Sequence, residues 1–379
     1  MNIKKTKKKA LVDIGVVLSR ICAKLHNDVD FHLFLQHMSL TYRNDIYNFL
    51  SKLTVHRVLN ALKVFLGYQL GKWFGRPILM GMPFSISVEP TTACNLGCPE
   101  CPSGLKSFSR PTGRIQPDFF QETIRQLHKE LLYLSFYFQG EPYLNTGFLD
   151  MVAYATSKKI YTATSTNAHF LDDETARKTV LSGLDRLIVS LDGTTQDTYE
   201  QYRRGGALDK AIQGARNIVK WRKELKSKKP YLVLQFLVVR PNEHQVDEVK
   251  KMAKEIGMDD IWFKSAQVYD YERDPHQLIP LNDKFSRYKK DALGRTIPKN
   301  PLRNHCWKMT YSNVMTWDGK IVPCCFDKDA EHVMGDMKEN SMKEIWEGKN
   351  YQAFRQELMK SRKNIDICAN CSEGLKVWN

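Results

Sequence analysis

The sequence predicts an α/β fold: a partial (β/α)6 TIM-like barrel with an N-terminal helical extension and a small C-terminal α+β domain. Three observations carry this. From Pro83 to about Val268, short apolar runs alternate with helix-periodic stretches, the signature of parallel strands joined by right-handed crossovers. Residues 1–82 show helical spacing and no strand pattern. After a polar linker rich in Asp, Pro and Lys, the last part of the chain carries a hairpin-like stretch among five cysteines. The expected division is 1–82, 83–270, a linker over 271–300, and 301–379. At 379 residues the chain can bury a large core in two or three domains, and at 42% apolar and 26% charged it is globular rather than disordered.

The extension is basic. The net charge is +15, and residues 1–80 hold thirteen basic against four acidic residues, or +9 of it. Leu11, Ile14, Val17/Leu18, Ile21 and Leu25 recur at helical spacing, as do Leu59, Leu62, Phe65/Leu66 and Leu70. The second stretch has Lys63, Lys72 and Arg76 beside it, with Trp73 and Phe74 near its end. Two readings stay open: an ordinary helix docked on the barrel, or a basic amphipathic helix on an anionic membrane. No apolar run reaches the roughly 18 residues a spanning helix needs. Asp13 and Arg20 break up the signal-peptide-like start, and Cys22 reads as a packing residue.

In the barrel, strands are expected at 84–89, 132–138, 160–165, 186–191, 231–239 and 260–264. Helices are expected at 117–130, 147–158, 172–182, 207–225 and 243–255. Eight such units would close a barrel; six leave it open. The polar motifs fall at the C-terminal ends of the strands, where parallel barrels gather their chemistry.

The first of these motifs is Cys94, Cys98 and Cys101, spaced C-x3-C-x2-C directly after the first strand, with no fourth cysteine or histidine nearby. Three thiolates hold three corners of a 4Fe–4S cube and leave one iron open. Structural zinc wants four ligands, so the missing fourth counts against a zinc knuckle. A cysteine loop straight after a first strand resembles the radical S-adenosylmethionine (radical SAM) superfamily. In that family the open iron chelates the methionine moiety of the cofactor. The residue before the third cysteine is usually aromatic there and packs on the adenine, but here it is Glu100.

The resemblance extends to the later strands. Gln139-Gly140-Glu141-Pro142 resembles the family's Gly-Gly-Glu-Pro element, whose carboxylate and carbonyls receive the cofactor's ammonium; the bland alternative is a surface turn. Thr164-Ser165-Thr166-Asn167 resembles its Ser-Thr-Asn-Gly run, with Ala168 in place of glycine, and implies that Ser165 and Asn167 meet ribose and carboxylate. The run Ser190-Leu-Asp-Gly implies that Ser190 and the following Arg203 bind the cofactor carboxylate, with Arg204 the neighbouring alternative. Val239 would border the adenine, unless Pro241-Asn242 simply makes a turn.

A second constellation joins Cys306, Cys324, Cys368 and Cys371 around a hairpin turning at Asp318-Gly319, with Cys325 spare. Four cysteines also suit zinc. Linked to the first motif, they resemble a SPASM/twitch extension carrying one auxiliary 4Fe–4S cluster. Cys325 is then a packing residue, an alternate ligand or a hydrogen donor.

What the resemblance implies is an enzyme of oxidoreductase type that uses S-adenosyl-L-methionine and a 4Fe–4S cluster to form a 5′-deoxyadenosyl radical. That radical abstracts hydrogen from a substrate. Peptide maturation (oxidation, cross-link or epimerisation) is the first expectation. A sugar, nucleotide sugar or lipid-linked glycan is the second, and a non-catalytic Fe–S or zinc protein the third. The expected partners are a peptide or glycan-type substrate and an electron donor such as flavodoxin or ferredoxin, with no nucleic acid. Unpaired thiolates imply a reducing, cytoplasmic setting, with residues 1–80 as a candidate attachment to the inner membrane face.

Overall fold

The computed structural model describes residues 40–371, 373 and 374; the helix expected over 11–25 and Cys22 lie outside them. The chain divides into two compact units between Lys52 and Leu53, rather than at residue 82. In the first unit the described element is helix α1 (Leu40–Leu50). Everything below concerns the second.

The second unit opens with helix α2 (Val55–Phe74), started by Thr54, whose hydroxyl accepts from the Arg57 amide, and stopped by Gly75 at φ 64°. This helix closes the end of the barrel where the strands begin. The buried Arg57 guanidinium donates to the carbonyls of Lys159 (2.5 Å), His128 (2.6 Å) and Lys158 (3.1 Å), just ahead of the second and third strands. Asn60 exchanges two 2.8 Å bonds with the backbone of Met82, and the Tyr68 hydroxyl meets His305 Nδ1 at 2.9 Å.

The barrel follows in the expected alternation. Its strands are β1 (Ser85–Val88), β2 (Tyr133–Ser135), β3 (Tyr161–Thr166), β4 (Arg186–Ser190), β5 (Tyr231–Val238) and β6 (Asp260–Ser265). Neighbours pair in parallel. The crossover helices are α3 (Pro117–Leu127), α4 (Phe148–Ser157), α5 (Asp173–Leu181), α6 (Leu208–Glu224) and α7 (Val246–Ile256). Strand β2 ends three residues short of expectation because the chain leaves the ladder toward Gln139-Gly140. Period-two alternation sorts the side chains. Ile86, Val88, Leu134, Phe136, Leu187, Val189, Leu232, Leu234 and Phe236 face the helices in one continuous core. The opposite face carries Ser87, Ser135, Ser165, Ser190 and Gln235 interspersed with the buried Ala163, Ile188 and Val233. At the barrel floor the Arg186 guanidinium lies 5.4, 5.7 and 5.3 Å from the ring centroids of Tyr161, Tyr231 and Trp262.

Beyond β6 the polar linker contains a small hairpin, β7 (Tyr288–Lys290) with β8 (Thr296–Pro298). The predicted C-terminal hairpin is present as β9 (Ser312–Met315) and β10 (Lys320–Val322), turning through Gly319 at φ 100°. It is not a separate layer. Strand β9 pairs in parallel with β1, and β11 (Gly335–Asp336) ends a nine-stranded sheet of order β11-β10-β9-β1-β2-β3-β4-β5-β6. Helices α8 (Met342–Glu347) and α9 (Lys349–Ser361) bury Trp346, Tyr351 and Leu358 in the barrel's own core. Among the described residues no helix is long and apolar enough to cross a membrane.

Candidate active site

The cysteine loop leaves β1 through Glu89, a fully buried carboxylate clamped by both Arg110 nitrogens at 2.9 and 2.5 Å and by the Trp317 amide at 3.1 Å. Burial pushes this carboxyl up, while Arg110 pulls it back down. Backbone bonds fix the loop from within and to the segment after β4. The Gly97 amide donates to the Arg204 carbonyl at 2.9 Å, and the Cys101 amide to the Cys98 carbonyl at 3.2 Å. Leu96, Cys98, Val239, Val268 and Tyr288 form an apolar cluster against which Cys94 and Cys101 pack. Val239, expected beside the adenine, is therefore next to this loop.

Gly140 makes the tightest approach. It sits at φ 75°, where a Cβ would lie 2.1 Å from the Thr91 carbonyl oxygen. Its amide donates to Ser103 Oγ at 2.9 Å, and the next amide, Glu141, donates to the Ala93 carbonyl at 2.8 Å. Gln139 is buried, with Oε1 3.6 Å from Cys101 Sγ. The Glu141 carboxylate points inward to Thr166 Oγ1 (2.7 Å), the Asn167 amide (2.9 Å) and the Tyr143 amide (3.4 Å). Burial outweighs these donors and pushes its pKa up to about 7. Asn167 in turn donates to Asn95 Oδ1 at 2.8 Å, so the ends of β1, β2 and β3 form one network. Ala168 takes φ 64°, the left-handed backbone for which the family pattern has glycine.

Ser165 and Ser190 touch at 3.0 Å, as parallel neighbours facing the barrel interior. Arg203 lies inward and half-buried while Arg204 is exposed. Arg203 Nε donates at 2.5 Å to Asp192, whose other oxygen accepts from the Leu237 amide at 2.7 Å. Burial opposes the guanidinium charge, but Asp192 and Cys98 beside it win and hold it charged. Burial raises the Cys98 thiol, and Arg203 counteracts this. Burial also pushes Cys94 up to about 11. Asp192 was legible only as part of the Ser-Leu-Asp-Gly run; its grip on Arg203 needs the fold.

Glu100 does not face solvent. Its carboxylate accepts from the Tyr269 amide at 2.9 Å, and its carbonyl from Lys328 Nζ at 3.0 Å. Lys328 also lies 4.6 Å from the centre of the half-exposed Tyr269 ring. An aromatic residue, Tyr269 from the segment just after β6, therefore lies beside position 100.

In the second constellation, Arg362 is the residue sequence reasoning missed. It is almost wholly buried, donates to the carbonyls of Glu373 (2.8 Å) and His305 (3.4 Å), and keeps its charge against burial because Cys306, Cys371 and Cys368 surround it. Burial raises Cys368 to about 12 and raises Cys371. Cys324 senses Cys306, and its thiol hydrogen-bonds to Cys325, which Lys308 Nζ holds at 3.0 Å. Tyr137, on the strand end just before Gln139, senses both Lys308 and Cys325. The stretch after β2 thus touches Cys101 through Gln139 and feels the charge of Cys325 through Tyr137.

Among the described residues, no group of three or more His, Cys, Asp or Glu converges closely enough to hold a single metal ion. The cysteines of each set nevertheless feel one another's charge. The donor sets, three thiols with no fourth ligand beside them and a second set in which Cys306, Cys368 and Cys371 surround the buried Arg362, suit iron–sulfur clusters.

The family model for the radical SAM superfamily matches residues 88–253, and that for an iron–sulfur cluster-binding domain, SPASM, matches residues 306–372. Mycofactocin maturase MftC of Mycobacterium ulcerans is 27% identical over 310 residues, covering 76% of this chain and 80% of the relative. The tungsten-containing aldehyde ferredoxin oxidoreductase cofactor-modifying protein of Pyrococcus furiosus is 24% identical over 314 residues, covering 75% and 86%. Among solved structures, Streptococcus suis SuiB bound to precursor peptide SuiA superposes with a TM-score of 0.57 at 14% identity. That match spans 99% of this chain and 85% of SuiB. The enzyme anSMEcpe with bound AdoMet gives 0.56 at 18% identity, spanning 78% and 88%. The chain belongs to the radical SAM superfamily and carries a SPASM domain. It is a radical SAM enzyme that uses 4Fe–4S clusters and S-adenosyl-L-methionine.

Proposed function

We propose that the protein is a peptide maturase of oxidoreductase type, acting on a residue of a precursor peptide held over the barrel mouth. Cys94, Cys98 and Cys101 hold the cluster at the barrel mouth, and Cys306, Cys324, Cys368 and Cys371 hold one auxiliary cluster. When bound, S-adenosyl-L-methionine and the first cluster supply the hydrogen-abstracting radical. The chain's own residues orient and enclose. Glu141 and the carbonyls near Gly140 take the cofactor's ammonium, while Arg203, pre-aimed by Asp192, meets its carboxylate beside Ser165, Ser190 and Asn167. Val239 and its apolar neighbours keep water from the reacting end.

The observation that carries the peptide reading is the likeness over three quarters or more of the chain to relatives named as mycofactocin maturases and to a solved neighbour bound to its precursor peptide. The test is anaerobic incubation with short peptides encoded beside the gene. Oxidation or cross-linking gives loss of a hydrogen pair by mass spectrometry, and epimerisation gives solvent deuterium in the product. A second reading, a lipid-linked glycan, is favoured by the basic, apolar outer face of α2. If cofactor cleavage is stimulated by nucleotide sugars or lipid-linked glycans and by none of the peptides, the peptide reading is wrong.

A further inference from the structure

Helix α2 is inside out for a surface helix. Its buried side carries Arg57, Asn60, Val64, Gly67, Tyr68 and Gly71, mostly polar or small. Its outer side carries Val55, Leu59, Leu62, Leu66 and Trp73, which are 73%, 53%, 39%, 50% and 84% exposed. At helical spacing these five positions fall on one stripe, about 30 Å long. Phe74, also exposed, stacks on Trp73 with ring centroids 6.1 Å apart. Lys63 and Lys72 stand on opposite flanks of the stripe, and Arg76 follows the helix end. Between Asp45 and Glu89 there is no aspartate or glutamate at all.

We infer that α2 docks the protein on an anionic lipid surface. The helix lies in the plane of the interface, with Leu59, Leu62, Leu66 and Trp73 entering the acyl boundary and Lys63, Lys72 and Arg76 meeting lipid phosphates. A stripe on a single helix is a convex ridge, which suits a deformable surface better than a folded partner. A second copy of the same face would set lysine against lysine. The inner side of α2 is pinned by Arg57 to the backbone ahead of β2 and β3, the end of the barrel opposite the cysteine loop. Docking through the outer side therefore leaves the mouth turned away from the lipid and open to substrate.

The experiment is flotation of the full-length protein with phosphatidylglycerol–phosphatidylcholine vesicles, with pure phosphatidylcholine vesicles alongside. Binding should need the anionic lipid and fade with salt, because exposed charges are screened beyond a Debye length. Replacing both Leu62 and Leu66 by Glu removes two inserted side chains, and partitioning should fall at least about tenfold. Iron content and thermal midpoint should not move, since both positions are exposed. Changing Lys63, Lys72 and Arg76 to Ala should cost roughly a hundredfold at low salt. Lipid-dependent blue-shifted emission should disappear in Trp73→Phe. Unchanged flotation of the Leu62→Glu, Leu66→Glu variant would assign any binding to other basic segments and overturn the inference. So would equal binding to neutral vesicles, or no flotation at all. So would a wild-type dimer in sedimentation that the same variant splits, since a second copy would then cover the face.

Discussion

Gly140→Ala is the sharpest test of how the barrel builds its mouth. Glycine there holds φ 75°, a conformation that costs an alanine roughly 1–2 kcal/mol. The added Cβ would also meet the carbonyl oxygens of Thr91 at 2.1 Å and Ala93 at 2.8 Å, both backbone atoms that cannot swing aside. Relieving the clash means separating the ends of β1 and β2. That breaks the Gly140–Ser103 and Glu141–Ala93 hydrogen bonds, each worth about 1 kcal/mol. The sum is about 3–4 kcal/mol of local disorder where Cys94, Cys98 and Cys101 must converge. Cofactor affinity should therefore fall by about a hundredfold or more, and reconstitution should yield about half the wild-type iron. Equilibrium dialysis with S-adenosylmethionine and iron analysis after anaerobic reconstitution read both. Gly75→Ala is the control, because Gly75 has φ 64° but nothing within 4 Å of an added Cβ. It should lower stability by roughly 1 kcal/mol and leave iron untouched. If Gly140→Ala reconstitutes and binds like wild type, the close approach does not organise the cysteine loop.

The other expectations are more direct. Wild-type protein should reconstitute to about eight irons, and changing Cys94, Cys98 and Cys101 together to Ala should leave about four; one zinc beside four irons would rule out the auxiliary cluster. Arg203→Ala should weaken cofactor binding by roughly 1.5–3 kcal/mol and leave Asp192 buried without its partner. Asp192→Asn should restore part of the stability but none of the affinity. The pKa of Glu141 is raised to about 7 from an unfolded value near 4.5. Between those values the folded chain holds a proton the unfolded chain has released, so its stabilising contribution is complete below about 4.5 and lost as pH rises through 7. Urea midpoints of the metal-free protein should show that decline, and Glu141→Gln should flatten it. Arg57→Met should destabilise the barrel by about 3 kcal/mol, because the carbonyls of His128, Lys158 and Lys159 lose a charged donor; an unchanged thermal midpoint would contradict the capping role of α2.

The strands and crossover helices of the barrel were legible because each is a local event. Apolar runs such as Leu187–Val189, and helical periodicity such as that ending at Ile256, are fixed by burial and, for the helix, by Gly257 at φ 92° as a stop. The cysteine spacings and the Gly-Glu-Pro and Ser-Leu-Asp-Gly runs were legible because the chemistry needs those atoms close together along the chain. Their placement at strand ends was legible as well, from the order of the elements alone.

What the sequence left undecided depends on partners far apart in the chain. Asp192 and Arg203 are eleven positions apart, and nothing local distinguishes that pairing from one with Arg204. Arg362 reads as one more charge on a basic helix until the fold buries it among Cys306, Cys368 and Cys371. The hairpin at Asp318-Gly319 was visible, but its parallel pairing with β1, which makes the C-terminal part continuous with the barrel, was not. A strand's own residues specify which face is apolar, while its neighbour is chosen by the assembled edge. For α2 the sequence supplied the amphipathic pattern and the basic flanks. Only the tertiary structure decided that the polar side goes inward, where Arg57 finds three backbone carbonyls, and that the leucines and Trp73 are left outside.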